Sequence, residues 1–451
     1  MRYEEARAFL DRHINGETGL VNVANDDPTT FARPAAARQL NPPSLDRLKR
    51  VLALLGDPQL DTPFVHITGT NGKGSTARMV TELLGTFGSV GTFTSPDMGR
   101  VNERIALNGE PISDIAFGEV IGDVALAEQA AGGMCSFFEL LTAAAFRYFN
   151  DIAVEAAVFE VGAGGRWDST NVGDGGVAVI TNIELDHQEW FGNTKLDIAR
   201  EKVGIVKPGS IAIIGETDPE IQEYLIRESE KAGAARVLVN GIDFACDANR
   251  TSVGGRLLTL RTPTNSYSGI HLPLHGAHQG ENAALALTAA EAFSGTTLSD
   301  VEVANAFGAV RHPGRMEVVQ REPLVMLDGA HNPAGARALI RALNDEFTAN
   351  PGRILIVGFL NGRNATDMLT ALDARAAKAV IICAPPSLRA QHPADVAIAA
   401  RALGANPIVS AGVEEAITRA LTMADEDDCV VICGSLYLVA AARDHLVYQK
   451  K

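Results

Sequence analysis

The sequence predicts an α/β fold in two parts, each built around a mostly parallel sheet. Three observations lead there. Short apolar runs at 154–159, 177–180 and 210–214 alternate with helical stretches, the pattern of strands buried on both faces and covered by helices. A strand-like run, Phe64-Val65-His66-Ile67, passes through a glycine-rich turn into the helix-like run 76–84. Beyond a break at His312-Pro313-Gly314, a second series of apolar runs at 324–327, 354–357, 379–382 and 429–432 has helices of its own and can bury its own core.

The elements follow in order. Residues 44–55 carry a helical pattern, with Ser44 placed to cap it after Pro42-Pro43. The polar, irregular stretch 15–41 is expected to be a surface loop. A β-rich patch follows at 236–274, then a helix through Asn282-Ala283-Ala284-Leu285. The expected division is 1–310, an N-terminal mostly parallel-sheet domain with a phosphate loop, and 311–451, a smaller C-terminal Rossmann-like α/β domain.

The turn itself, Gly69-Thr70-Asn71-Gly72-Lys73-Gly74-Ser75, has the composition of a phosphate cradle. Glycines let backbone N–H groups face inward, the helix N-terminus adds positive dipole and the lysine adds full charge. It is not a strict Walker motif, because Ile67 stands where that pattern has glycine and Gly74 directly follows Lys73.

Glu160 ends a strand-like run and opens onto Gly162-Ala163-Gly164-Gly165. Ligands in open parallel sheets bind beyond the carboxyl ends of strands, so Glu160 is a candidate Mg²⁺ ligand. His187, beyond the run 177–180, is a second, on the expectation that the two strands are neighbours. Lys202, in a helix-like stretch stopped by Pro208-Gly209, reads on its own as a surface lysine or an ion-pair partner. Asp328 ends the first strand of the second series, and Arg315 sits where it can cross from the connector to phosphates.

Net charge is −16 over 451 residues, which argues against nucleic acid as a partner. Small anions remain possible ligands for a local cluster such as Lys73, Arg104, Arg166 and Arg315. No apolar run reaches the roughly 18 residues of a membrane helix, and the acidic start Met1-Arg2-Tyr3-Glu4-Glu5 lacks an export signal. Five scattered cysteines without a paired spacing fit buried thiols in a reducing compartment. A cytoplasmic monomer without membrane association is expected.

Taken together, the phosphate loop, the Glu160 turn, Pro111-Ile112-Ser113, His278-Gln279-Gly280-Glu281-Asn282, Gly314-Arg315, Asp328-Gly329-Ala330-His331-Asn332 and Cys433-Gly434-Ser435-Leu436-Tyr437 resemble the folylpolyglutamate synthase/dihydrofolate synthase family of the Mur ligase superfamily. The resemblance implies an ATP- and Mg²⁺-dependent ligase that adds L-glutamate to dihydropteroate, to folates, or to both, through an acyl phosphate. It assigns Gly69, Thr70, Asn71, Gly72, Lys73, Gly74, Ser75, Asn282, Arg315 and Asp328 to ATP, and Ser95, Glu160 and His187 to Mg²⁺. Lys202 matches a lysine that is carbamylated in the family. His331 is expected close to where glutamate and phosphate meet, so that Lys73, His187, Lys202 and His331 carry the chemistry. Phe138, Glu139, Trp167 and Asp168 are expected on the pterin side. The sequence departs from the family at Asp97 and Met98, after Ser95-Pro96, and at Ala163 and Ser169. Asp97 is expected to add negative charge near an anionic substrate.

Overall fold

The computed structural model describes residues 1–13, 44–133, 135–186, 188–349 and 352–448. The expected loop at 15–41 and His187 therefore lie outside the described residues. Three sheets organise the rest. The first has eight strands: β1 (Phe64–Thr68), β2 (Val90–Phe93), β3 (Ile105–Leu107), β4 (Glu110–Pro111), β5 (Ala156–Glu160), β6 (Val177–Ile180), β7 (Ile211–Ile214) and β8 (Arg236–Val239). Their order is β4-β3-β2-β5-β1-β6-β7-β8. All neighbours run parallel except at the β2–β3 and β3–β4 pairs.

This order corrects one expectation. Glu160 does not lie on a strand next to β6, because β1 separates β5 from β6. The strand that feeds the glycine-rich turn is thus flanked on both sides by strands that end beside it.

The alternation of strand side chains shows how β1 joins two cores. Val65 and Ile67 face a core shared with the helices Lys73–Leu84 and His278–Ser294. Phe64 faces the opposite side, where Asp114–Ala130 and Phe137–Asp151 supply the apolar surface. Phe159 of β5 centres that second core. Its ring stacks on Phe146 at 4.1 Å and lies 5.2–5.7 Å from Phe64, Phe93 and Phe149.

The β-rich patch resolves into the edge strand β8 and an antiparallel sheet of β9 (Ala245–Ser252), β10 (Gly255–Arg261) and β11 (Ser266–Leu272). The third sheet comprises β12 (Glu317–Arg321), β13 (Leu324–Leu327), β14 (Gly352–Val357), β15 (Ala379–Ile382), β16 (Pro407–Val409) and β17 (Asp428–Cys433). Its order is β12-β13-β17-β14-β15-β16, with only the edge strand β12 antiparallel. Apolar clusters cover both of its faces. The helix expected at 44–55 spans Asp46–Leu54, and Ser44 Oγ accepts the Asp46 N–H at 3.1 Å.

Phe159→Ala should cost about 3–5 kcal/mol of stability, because a fully buried ring leaves a cavity that its aromatic neighbours fill only in part. A urea midpoint unchanged from the parent would contradict the packing described.

Candidate active site

The glycine-rich turn closes on itself through side chains from the neighbouring strand. Gly72 caps the helix Lys73–Leu84 with φ +85°, a conformation that favours glycine. Gly69 has φ +147°, and a Cβ there would sit 1.7 Å from Thr181 Oγ1. Thr181 Oγ1 donates to Asn71 O at 2.6 Å, and Asn182 accepts the Asn71 N–H on Oδ1 and the Thr70 N–H on its carbonyl, both at 2.9 Å. The peptide beyond β6 therefore sets the shape of the loop.

Two lysines converge on it. Lys73 Nζ donates to Gly69 O at 3.1 Å and Thr70 O at 3.3 Å. Lys202 Nζ donates to the same Gly69 O at 2.9 Å. Lys202 is only 5% exposed, which corrects the sequence reading of a surface lysine. Burial, followed by the nearby charge of Lys73, pulls its amine down to about 7, against the opposing pull of Asp186, Glu201 and Asp168. A neutral amine is thus accessible near neutral pH.

Glu160 ends β5 and its Oε2 accepts the Ser95 N–H at 3.2 Å. Burial raises its carboxyl above the usual range, while Lys73, the Ser95 N–H, Arg315 and Arg78 oppose the shift. No group of three or more metal-ligating acids, histidines or cysteines occurs among the described residues. One carboxylate beside a hydroxyl and a phosphate cradle nevertheless fits Mg²⁺, which accepts hard oxygen ligands and fills its octahedron with water and phosphate oxygens.

The second parallel sheet completes the site. Asn332 caps the helix Pro333–Glu346 and its Nδ2 donates to Asn71 Oδ1 of the phosphate loop at 2.9 Å. Asp328 accepts the Met316 N–H at 3.0 Å and the Ala330 N–H at 2.8 Å, so its carboxylate fixes the connector. His331 Nδ1 lies 2.9 Å from Gly329 O and its Nε2 lies 3.8 Å from Asp186. Burial and the Arg363 charge press its imidazole down to about 4. Arg363 pairs with Asp186 across the two bodies.

One cavity of about 500 Å³ is lined by Gly69–Ser75, Ser95, Glu160, Lys202, Asn282, Arg315, Asp328 and His331. Arg341, Arg363 and Arg389 also line it, and sequence reasoning missed them. The available signal was position, since Arg363 and Arg389 follow β14 and β15 just as Asp328 follows β13.

Phe138, Glu139, Trp167 and Asp168 do not line this cavity. Phe138 lies beneath the glycine turn, where a Cβ on Gly162 would come within 2.6 Å of its ring. Glu139 Oε2 accepts the Ser136 N–H at 2.7 Å and sits 3.6 Å from Arg47. Asp168 accepts the Ala163 and Thr170 N–H groups, each at 3.0 Å, and so braces the turn. Trp167 is 39% exposed. Arg104 and Arg166 also fall outside the cavity. Arg104 pairs with Asp97 at 2.7 Å, and both lie largely out of solvent. The expected unbalanced charge at Asp97 is therefore neutralised, and Arg104 holds its carboxyl below the usual range against the effect of burial.

Residues 132–290 match the Mur ligase middle domain family, and residues 314–436 match the family described as Mur ligase, glutamate ligase domain. A dihydrofolate synthase/folylpolyglutamate synthase of Mycobacterium tuberculosis is 41% identical over 355 residues, covering 73% of this chain and 72% of its own. A Bacillus subtilis protein of the same name is 34% identical over 415 residues, covering 90% and 95%. The chain belongs to the dihydrofolate synthase/folylpolyglutamate synthase family. As a member of it, the chain is an ATP-dependent Mur-type ligase that adds glutamate in folate metabolism. A crystal structure of Mycobacterium tuberculosis folylpolyglutamate synthase complexed with ADP and AMPPCP superposes with a TM-score of 0.84 at 38% identity, over 90% of this chain and 96% of that one. No helix among the described residues is long and apolar enough to cross a membrane.

The depressed Lys202 amine makes a stability prediction. Between about 7 and the ordinary 10.5, the unfolded chain binds a proton that the folded chain does not, so folding gains stability as pH rises through that window. Urea unfolding in buffer free of carbon dioxide should show the parent gaining on Lys202→Met between about pH 7 and pH 9. Equal pH slopes would contradict the burial of a neutral amine.

Proposed function

We propose that the chain adds L-glutamate both to dihydropteroate and to folates. The carrying observation is the single cavity that joins the phosphate loop to arginines and His331 of the second sheet. Residues 1–310 bind ATP in this reading, and 311–451 present glutamate.

The chemistry follows from the weakness of a carboxylate as an electrophile. The acceptor carboxylate oxygen attacks the γ-phosphorus of ATP, ADP leaves, and an acyl phosphate remains. The neutral α-amine of glutamate adds to the acyl carbon, phosphate departs with the C–O bond electrons, and the amine proton is lost to solvent or to a base. Lys73 and the amides of Gly69–Ser75 hold the phosphates, with Asn282, Arg315 and Asp328 around the nucleotide. Ser95, Glu160 and His187 would hold Mg²⁺, which offsets phosphate charge when bound. Arg363 and Arg389 suit the carboxylates of glutamate, because a guanidinium matches a carboxylate fork. His331, neutral at working pH, can accept a hydrogen bond from the incoming amine. Positioning and charge stabilisation suffice, without a covalent enzyme nucleophile.

Lys202 is the proposed site of carbamylation. Its neutral amine would attack carbon dioxide, form an N–C bond and release one proton, converting a neutral amine beside the loop into an anion. Phe138, Glu139, Trp167 and Asp168 form the proposed pterin side, the acids acting through the turn and cap they brace. All five cysteines are free thiols, which suits a cytoplasmic setting, and a monomer is the proposed state.

Two experiments test the reading. Lys73→Ala should fold like the parent yet lose turnover by at least about a hundred-fold, since one lost charge-stabilising donor costs that much in a low-dielectric site. Near-parental turnover would remove the loop from the mechanism. Purified enzyme given ATP, Mg²⁺, L-glutamate and either dihydropteroate or a reduced folate should yield a glutamylated product from each by mass spectrometry. Turnover of one acceptor alone would show a single-acceptor ligase.

A further inference from the structure

The connector between the first and third sheets carries a histidine that the ligase chemistry above does not use. His312 precedes Pro313-Gly314-Arg315 and turns back toward the first sheet. Its Nδ1 shares a 3.0 Å hydrogen bond with Ser75 Oγ. Its ring also lies over Gly74, where an added Cβ would come within 3.4 Å of two ring atoms. The connector is itself tightly held. Gly329 donates its N–H to Gly314 O at 2.8 Å, Arg315 donates to His312 O at 3.3 Å, and Met316 donates to Asp328 at 3.0 Å.

The consequence is geometric. Ser75 is the hydroxyl residue at the end of the phosphate loop, in the first turn of the helix Lys73–Leu84. Its Oγ is oriented by a side chain from the peptide that leads to the second sheet. Burial, with the charges of Arg78 and Arg315 nearby, keeps the imidazole neutral well below its ordinary range. A neutral ring can donate to or accept from a hydroxyl according to its tautomer, whereas an imidazolium would add a third cation beside those arginines.

We propose that His312 is a positioning residue for ATP, which acts through Ser75 to fix the C-terminal half of the phosphate loop from the interdomain connector. This rests on the reading of Gly69–Ser75 as the ATP loop. The hydrogen bond makes loop geometry and connector geometry one structural unit, so that the nucleotide is held in register with the sheet that presents glutamate.

A double-mutant cycle tests it. His312→Phe keeps a ring over Gly74 and removes the hydrogen bond, and His312→Leu removes both. His312→Asn places an amide near Nδ1. Steady-state KM for ATP and for L-glutamate would be measured for each, alone and combined with Ser75→Ala. His312→Phe should raise the KM for ATP about ten-fold and leave that for glutamate within about two-fold, while Asn stays within about three-fold of the parent. On the Ser75→Ala background His312→Phe should add less than about two-fold, because coupled residues are not additive.

Multiplicative effects, or equal losses for Phe and Asn, would overturn the proposal. If the Phe and Leu variants fail to fold, the folded Asn variant decides: a KM for ATP raised about ten-fold or more, and undiminished on the Ser75→Ala background, would overturn the proposal. A Lys73→Ala variant with parental KM for ATP and parental turnover would instead overturn the reading of the loop, which separates the two failures.

Discussion

The fold depends on holding two parallel sheets with their carboxyl ends facing one shared cavity. Each sheet contributes part of the cavity's lining. β1, β5 and β6 deliver Gly69, Glu160 and Thr181, and β13, β14 and β17 deliver Asp328, Leu360 and Gly434. Strand ends suit this work because their loops are free of ladder hydrogen bonds and can be shaped for ligands. The sheets are kept in register by a few polar links. Asn332 meets Asn71, Arg363 meets Asp186, and Glu346 takes Arg256, His275 and the Gly276 N–H, each at 2.8 Å. Glu346 sits at the far end of the helix that Asn332 caps, so this helix is fastened to the first body at both ends.

Charge is managed by burial as much as by pairing. Glu160 and Lys202 both lie out of solvent and are pushed toward their neutral forms, one upward and one downward. Their partners are partial, a Ser95 N–H for Glu160 and the Gly69 carbonyl for Lys202. Incompletely satisfied charges at a cavity wall are costly in an empty protein and favourable once a polyanion and its counterion arrive. Asp97 and Arg104 behave differently, since they satisfy one another at 2.7 Å. The unusual Asp97 is therefore part of a local structural pair, and Met98 packs toward the second body near Gly314.

What could be read from the chain divides along sequence separation. The strand–turn–helix around Gly69–Ser75 was legible because its strand, glycines, lysine and helix are contiguous and each residue has a local reason to be there. The helices at 46–54 and 278–294 and the second α/β series were legible through apolar periodicity. The β1 insertion between β5 and β6 was not, because strand order is decided by packing of distant segments. Lys202 looked like a surface residue for the same reason: its partner, Gly69, is far away in sequence and nothing in the local helix signals burial. Glu139 and Asp168 carried ambiguous signals, since an acid three residues after a serine or beside a glycine turn serves a backbone cap as readily as a ligand. His312 stood at a visible break in pattern, but its bond to Ser75 exists only in three dimensions.

In the mechanism proposed above, one cavity activates a carboxylate with ATP before glutamate attacks. That mechanism is tested most directly by tracing oxygen. An acceptor labelled with ¹⁸O in its reacting carboxylate would be turned over in unlabelled water with ATP, Mg²⁺ and L-glutamate, and the released phosphate examined by mass spectrometry. The acyl-phosphate route puts one labelled oxygen in each phosphate, carried across when the acyl phosphate collapses. Unlabelled phosphate accompanying glutamylated product would contradict it.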